Sequence, residues 1–284
     1  MPFFPDLKQF DTANLRLRVI STLIMAPVAL LAVWRGGFAF AALATAVGVV
    51  GLYEWLNLVD ADLAKRPARA QIAGIACAML AVVMIVGMFF SLSSAMVAGV
   101  VFSLALFAMA RREYGGASSQ PSAAWLAFGI PYMGGGGLAL LYLRAMPDIG
   151  AALVFYVLAV VWGTDVGAFA AGRLIGGPKL APTLSPSKTW AGLCGGIALA
   201  TILGYVVAVC LGARQPGWTV VLSPLLAVVA QTGDLFESAF KRRSGVKESG
   251  DLIPGHGGVL DRIDGLVFAA IIAACAFGAG VDFF

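Results

Sequence analysis

The feature that most constrains this chain is a series of apolar runs, each about 20 residues long, the length that an α-helix needs to cross a bilayer. The runs follow one another along most of the 284 residues. Hydrophobic residues make up 60% of the chain and charged residues 12%, about half the charge of a soluble domain. Because only structures that satisfy their own backbone hydrogen bonds can span lipid, we predict an all-α integral membrane protein. We expect a single polytopic domain over residues 1–284.

The number of spans follows from the same length, which gives a bundle of about nine transmembrane helices. The first span is short and contains Pro27, and its link to the second, Arg35 to Gly37, is tight. These two could instead form one re-entrant hairpin, so the count is eight or nine. The predicted spans are roughly 19–34, 37–56, 71–90, 92–110, 122–143, 150–172, 189–212, 217–240 and 259–281.

The basic residues predict an orientation, because positively charged short loops stay in the cytoplasm. With nine spans and a cytoplasmic N-terminus, sixteen of the 19 Lys and Arg residues lie on the inside. Only Arg35, Arg144 and Arg214 remain outside. The two polar links whose residues could carry out chemistry, after the sixth and eighth spans, are then both expected to face the cytoplasm.

The four cysteines stand singly in apolar runs, which is typical of small buried residues and not of a zinc site or a disulfide framework.

Carboxylates are concentrated where the eighth span ends and the ninth begins, with six of the 15 acidic residues there. Orientation in the membrane does not require them. Asp234, Glu237 and Lys241 recur at helical spacing on one face, and Asp261 and Asp264 are again three residues apart. Carboxylates at a membrane boundary are functional candidates, and oxygen ligands without His or Cys favour Mg²⁺.

The link between these spans contains Pro254-Gly-His-Gly-Gly258, which directly precedes a predicted helix. Such a turn can bind an anion through its backbone N–H groups. Together with the carboxylates and the basic residues it predicts a site for a nucleotide polyphosphate. The alternative is that Asp261 caps the ninth helix and the glycines only make a turn. The flanking basic residues are Lys241, Arg242, Lys247 and Arg262.

The link after the sixth span repeats this pattern more sparsely. Asp165 lies inside the span, and we expect it to face the bundle interior, although a hydrogen bond to Thr or Ser of a neighbouring helix is the alternative. Ser185 and Lys188 follow in a loop rich in Pro and Gly and are candidates for phosphate binding. Trp190 is either part of this site or an interfacial anchor.

Both links resemble conserved stretches of the phosphatidate cytidylyltransferases, also called CDP-diacylglycerol synthases. The resemblance covers roughly residues 160–270, which would carry the catalytic motifs, and is specific because it is long and mixed in residue type. Two positions depart from the family pattern: Glu248 stands where Asp is usual, and Ala191 where many members have a polar residue. The matching residues are Ser238, Phe240, Lys241, Arg242, Lys247, Gly250, Ile253, Pro254, His256, Gly257, Gly258, Val259, Asp261, Arg262, Ile263 and Asp264, and, in the earlier link, Ser185, Pro186, Lys188, Thr189, Trp190 and Gly192.

The resemblance implies a nucleotidyltransferase of phospholipid biosynthesis that joins CTP to phosphatidate and releases pyrophosphate. It implies Mg²⁺ on Asp234 and Asp261, with Asp264, Asp165 and Glu237 as supporting groups or as ligands of a second cation. Lys188, Lys241 and Arg262 would neutralise developing charge. His256 would hydrogen-bond a phosphate oxygen or only fix the turn. Predicted substrate-binding residues are Ser185, Lys188, Thr189, Lys247, Gly255, His256, Gly257 and Gly258.

The same resemblance suggests a multi-pass protein of the bacterial inner membrane, with the active site facing the cytoplasm. It also suggests a homodimer; we expect membrane lipids and no nucleic acid as partners.

Two other functions remain open at this point. One is a CTP-dependent lipid kinase, which needs much of the same apparatus; the other is a cation-coupled transporter that uses Asp165, Asp234 and Asp264. We see no internal repeat of the kind that favours a transporter. A phosphatidyl-alcohol transferase is disfavoured because its D-G-x-x-A-R pattern is missing.

Overall fold

The computed structural model describes residues 12–114, 122–281 and 283–284. These ranges contain nine α-helices, one two-stranded antiparallel hairpin and two short 3₁₀ turns, so the predicted all-α fold is confirmed. In chain order the elements are α1 (Thr12–Arg35), α2 (Gly37–Val59), α3 (Pro67–Phe89), α4 (Leu92–Tyr114), α5 (Ala123–Ala145), α6 (Gly150–Leu174), β1 (Lys179–Ala181), β2 (Ser185–Thr189), α7 (Trp190–Cys210), α8 (Thr219–Arg243) and α9 (Leu260–Gly278), with 3₁₀ turns at Leu63–Lys65 and Pro216–Trp218.

Most predicted spans agree with these helices to within a few residues. Seven helices of the described ranges, α2 to α8, are long and apolar enough to cross a membrane by length and composition. The apolar part of α1, Val19–Arg35, is shorter, and the first turns of α9 carry three charged residues. Only Gly36 separates α1 from α2, with φ at 65°, a backbone conformation that glycine adopts readily. The first two predicted spans are therefore separate helices joined by a sharp turn.

Two apolar clusters form the core. One is built mainly from α2 to α5, with Leu52 and Leu80 fully buried. The other is built mainly from α6 to α9, with Val157 and Leu226 fully buried. Four helices, α2, α5, α8 and α9, contribute side chains to both clusters. The charged ends of α8 and α9 are thereby held between the two halves of the bundle.

An aromatic cluster joins α2, α5 and α8 next to those charged ends. Trp55 is fully buried, and its Nε1 donates a hydrogen bond to the carbonyl of Trp125 at 2.9 Å. Its ring stacks on Phe236 with centroids 5.8 Å apart and lies 5.1 Å from the ring of Tyr132. Because such pairs prefer specific geometries, the cluster fixes the rotation of α8 and so the direction of its polar side chains.

Glycines allow α6 and α7 to pack backbone against backbone. A Cβ added at Gly196 would lie 2.8 Å from the carbonyl of Thr164, and one added at Gly163 would lie 3.1 Å from Cα of Ala200. The link between these helices, predicted as a loop, is the β1–β2 hairpin, with Lys179 opposite Thr189. The close approach brings the ends of α6 and α7 near enough for a short hairpin to join them.

Candidate active site

The polar face predicted on α8 is present. The hydroxyl of Ser238 donates to the Asp234 carboxylate at 3.3 Å. One turn further on, Lys241 Nζ lies 3.2 Å from Glu237. The Glu237 side chain is fully buried and that of Lys241 is 12% exposed, so this pair lies inside the protein. Burial of both partners reduces the screening that weakens surface ion pairs.

The ends of α8 and α9 meet through Asp261. Its Oδ1 pairs with Lys241 Nζ at 2.7 Å, and its Oδ2 accepts hydrogen bonds from the amides of Ser249 and Gly258, both at 2.9 Å. Asp261 therefore ties the link before α9 to the first turn of this helix and also pairs with the lysine of α8. It is not the N-cap of α9, which is Val259 and has no side-chain cap.

A second pair of carboxyl groups lies deeper. Glu237 and Asp264 lie close enough to interact with each other's charge, and the amide of Gly265 donates to Asp264 at 2.7 Å. Neither oxygen of Glu237 accepts a hydrogen bond from a donor in the described ranges, and the buried hydroxyl of Tyr132 likewise has no such partner there. Two carboxyl groups this close to each other need a proton or a cation between them.

The β1–β2 hairpin brings its own cation to α8. Lys188 Nζ lies 2.6 Å from Oδ2 of Asp234, and Arg242 Nε donates to the carbonyl of Leu184 at 3.2 Å. Asp165 of α6 is exposed and close enough to Asp234 and Lys188 to interact with their charges. The two polar links, far apart in sequence, therefore form one charged surface.

The turn before α9 is held by its own backbone. Gly255 and Gly257 have positive φ angles of 75° and 80°, as a tight turn requires. The amide of Ile253 donates to the carbonyl of Gly257, and that of His256 to the carbonyl of Ile253, both at 2.9 Å. Arg262 donates to the carbonyl of His256 at 2.8 Å. The arginine predicted to neutralise phosphate charge thus also stabilises the turn.

His256 links this turn to α1. Its Nδ1 lies 2.7 Å from the hydroxyl of Ser21 and its Nε2 lies 3.3 Å from that of Thr22. The hydroxyl of Ser21 also approaches the carbonyl of Pro254 at 3.3 Å. The first helix, which has no matching motif, therefore borders the turn that carries the single histidine.

The remaining predicted residues have differing environments. Thr189 is buried, and its hydroxyl accepts from the amide of Gly192 at 3.0 Å, which makes it the N-cap of α7. Ser185 is partly buried, while Lys247 and Glu248 are exposed. As the side chains stand, no three Asp, Glu, His or Cys residues of the described ranges are grouped closely enough to hold a metal ion. The predicted metal and substrate roles stay predictions.

Two residues at this site escaped the sequence prediction. Tyr132 of α5 lies near Glu237 and Asp264, and no pattern in an apolar span would single it out. Glu54 of α2 is 6% exposed and accepts the amides of Val259 and Leu260. An acidic residue near the end of an apolar span is itself a functional signal, so Glu54 could have been found.

Known sequences provide an independent comparison. The sequence profile of the cytidylyltransferase family matches residues 16–279. The phosphatidate cytidylyltransferase of Brucella suis biovar 1 is 38% identical over 264 residues, 92% of each chain. That of Pseudomonas aeruginosa is 34% identical over 281 residues, 93% of this chain and 99% of the relative. That of Helicobacter pylori is 46% identical over 126 residues, 44% of this chain and 46% of the relative. The chain therefore belongs to the cytidylyltransferase family, whose members are nucleotidyltransferase enzymes.

Proposed function

We propose that this protein is a phosphatidate cytidylyltransferase, which makes CDP-diacylglycerol and pyrophosphate from CTP and phosphatidate. The observation that carries the proposal is the pairing of Lys188 with Asp234 and of Lys241 with Asp261 on the charged surface formed by α8, α9 and the hairpin. A reaction between two polyanions needs such cations, and it needs them close to the bilayer that holds the lipid substrate.

The reaction requires that the negative charge of the phosphates be neutralised and that the two substrates be aligned. A phosphate oxygen of phosphatidate attacks the α-phosphorus of CTP, a new P–O bond forms, and the bond to the β-phosphate oxygen breaks as pyrophosphate leaves. The nucleophile is already ionised, so no proton-abstracting base is needed. The difficulty is electrostatic. Lys188, Lys241 and Arg262 would neutralise the phosphates, and the 255–258 turn with Ser185 and Lys247 would hold them.

The carboxylates fit a divalent cation in their chemistry. Asp234 and Asp261 offer hard oxygen donors, and each already has a lysine Nζ within 2.7 Å, so positive charge is stable beside them. Glu237 offers two buried oxygens without a hydrogen bond from the described ranges. Asp234 and Asp261 would hold Mg²⁺, with Asp264, Asp165 and Glu237 nearby for support or for a second cation. Bound Mg²⁺ would supply charge stabilisation at the nucleotide phosphates.

The same proposal places the protein in the bacterial inner membrane with this surface toward the cytoplasm, where CTP is available. The distribution of basic residues supports that side. The acyl chains of both lipids would stay in the bilayer while only their phosphates reach the charged surface. A homodimer remains part of the proposal on family resemblance alone.

The test is to supply purified protein and phosphatidate with CTP labelled at either the α- or the γ-phosphate. We expect the α-label in the lipid product and the γ-label in pyrophosphate. Lipid labelled only from the γ position would establish a CTP-dependent lipid kinase and overturn the proposal. Chelation of divalent cations should stop the reaction, and added Mg²⁺ should restore it.

A further inference from the structure

A carboxylate from the first half of the chain holds the start of α9. Glu54 Oε1 accepts the amide of Val259 at 3.0 Å, and its Oε2 accepts the amide of Leu260 at 2.7 Å and the hydroxyl of Ser249 at 3.3 Å. Val259, at the N-cap position of α9, makes no side-chain cap. Glu54 thus satisfies amides that a helix start leaves without partners, and its negative charge suits the positive end of the helix dipole.

Glu54 and Asp261 accept hydrogen bonds from neighbouring groups of the same segment, residues 249–260. The amide of Gly258 donates to Asp261, and the next two amides donate to Glu54. Ser249 donates its amide to Asp261 and its hydroxyl to Glu54. A change in the position of Glu54 therefore moves the groups that fix Asp261, and with it the ion pair to Lys241.

The surroundings of Glu54 are fitted to a carboxylate. A Cβ added at Gly250 would lie 2.7 Å from its Oε1, and one added at Gly258 would lie 2.7 Å from its Oε2. Glu54 forms no ion pair with any lysine or arginine in the described ranges. Its buried charge is balanced by hydrogen-bond donors. A hydrogen bond is stronger when its acceptor is ionised.

We propose that Glu54 is a positioning residue for the nucleotidyl transfer. It does not touch the substrates; it holds the 249–260 segment so that Asp261 and Lys241 keep the geometry the reaction needs. The inference rests on the proposed role of Asp261. The amide of Gln would not replace the carboxylate, because its NH₂ group would face N–H donors in a buried site.

The experiment compares two buried carboxylates near the end of α2 by making Glu54→Gln and Asp60→Asn. Asp60 is the matched control because it is 3% exposed and its carboxylate accepts from Arg69, Tyr114 and the amide of Asp62, none of which belongs to the 249–261 segment. For each purified protein, the folded fraction, turnover, the Mg²⁺ concentration for half-maximal turnover and the unfolding temperature are measured. The rise in unfolding temperature on adding Mg²⁺ and CTP without phosphatidate reports binding in the absence of turnover.

We expect Glu54→Gln to lower turnover per folded molecule by roughly 10- to 100-fold, to raise the half-maximal Mg²⁺ concentration, and to reduce the thermal shift produced by Mg²⁺ and CTP. Asp60→Asn should lose stability but keep these three values. Normal turnover in folded Glu54→Gln overturns the inference, and so does an equal loss in both variants.

Gly250→Ala serves if Glu54→Gln does not fold, since its methyl group displaces the same carboxylate; it is judged by the same criteria. Asp261→Asn separates this inference from the proposed function. If Asp261→Asn is inactive and Glu54→Gln is normal, only the role of Glu54 fails. If Asp261→Asn is active, the proposed role of Asp261 in the reaction is wrong, and the role of Glu54 that rests on it is wrong as well.

Discussion

Single side chains at this site serve two purposes at once. Lys188 and Lys241 each neutralise a buried or half-buried carboxylate, and the proposed reaction asks the same ammonium groups to neutralise phosphate. A cation that took over the carboxylates would free both lysines for the nucleotide. Removal of either member of such a pair leaves an uncompensated charge in a poorly solvated site, which is strongly unfavourable.

Asp261→Asn should reduce turnover by roughly 100-fold or more, because it removes a charge from the site while keeping the side-chain shape. The measurement is cytidylyl transfer by purified protein, with folding checked by size-exclusion profile and thermal unfolding. Asp251→Asn is the control, since Asp251 is an exposed acid in the same link. Wild-type turnover by Asp261→Asn would remove this residue from the catalytic surface.

Glu248→Asp should change turnover by less than about threefold. Glu248 is exposed, and a Cβ added at Gly257 would lie 2.8 Å from its carboxylate and 3.1 Å from that of Asp261. Glu248 therefore borders the turn, and shortening it by one methylene restores the residue usual in the family. Steady-state kinetics at varied CTP concentration test this. A large gain or loss would mean that Glu248 contacts the metal or the nucleotide directly.

The charged residues that meet at this surface are recognisable in the sequence, for a physical reason. Charge in a chain of this hydrophobicity is unfavourable unless it has a use, so Asp234, Asp261 and Lys241 stand out. Tyr132 does not, because an aromatic residue in an apolar span has an ordinary packing role. Hydrogen-bond partners such as those of Glu54, whose donors lie 195 to 206 residues later in the chain, depend on tertiary contacts that no local pattern encodes.

At the level of elements, the spacing of α6 and α7 controls where the hairpin lies. Their glycines remove the side chains that normally keep helices 8–10 Å apart, and the hairpin between them then places Lys188 on Asp234. Hydropathy predicted both helices but not this closeness or the hairpin. Strands of three and five residues are too short to give an alternating pattern in a segment rich in Pro and Gly.

Gly196→Leu should destabilise the protein by about 1–3 kcal/mol, since a larger side chain would press on the backbone of Thr164. Gly74→Leu is the control, because a Cβ at Gly74 of α3 meets no atom within 4 Å. Thermal unfolding in detergent should show a fall of several degrees for Gly196→Leu alone. Equal unfolding temperatures for the two variants would show that this contact does not limit stability.

At the level of the whole molecule, α8 connects the two sides of the membrane. It has 25 residues, roughly 37 Å of helix, enough to cross a hydrocarbon core of about 30 Å. Arg214 lies just before one end of α8 and Lys247 just after the other, so the two residues report opposite sides. The positive-inside pattern predicts that Lys247 and the charged surface face the cytoplasm.

Cysteine labelling tests this orientation. Arg214→Cys and Lys247→Cys are made separately in a chain whose four native cysteines are replaced by alanine. A membrane-impermeant maleimide that can reach only the outer side of the membrane should label Arg214→Cys and not Lys247→Cys. Both should react after the membrane is permeabilised. The reverse pattern would place the charged surface on the outside and contradict the proposed use of cytoplasmic CTP.

The hydrogen bonds to Glu54 also have a consequence for biogenesis. Their donors lie 195 to 206 residues later in the chain. At a synthesis rate of about 5–20 residues per second, roughly 10 to 40 s separate the appearance of α2 from that of its partners. Throughout that interval Glu54 lacks the hydrogen-bond donors that stabilise it in the finished protein. Because α9 supplies Asp261, the charged surface is complete only after α9 has been made, and ribosome-bound chains that lack α9 carry Lys188 and Asp234 without Asp261.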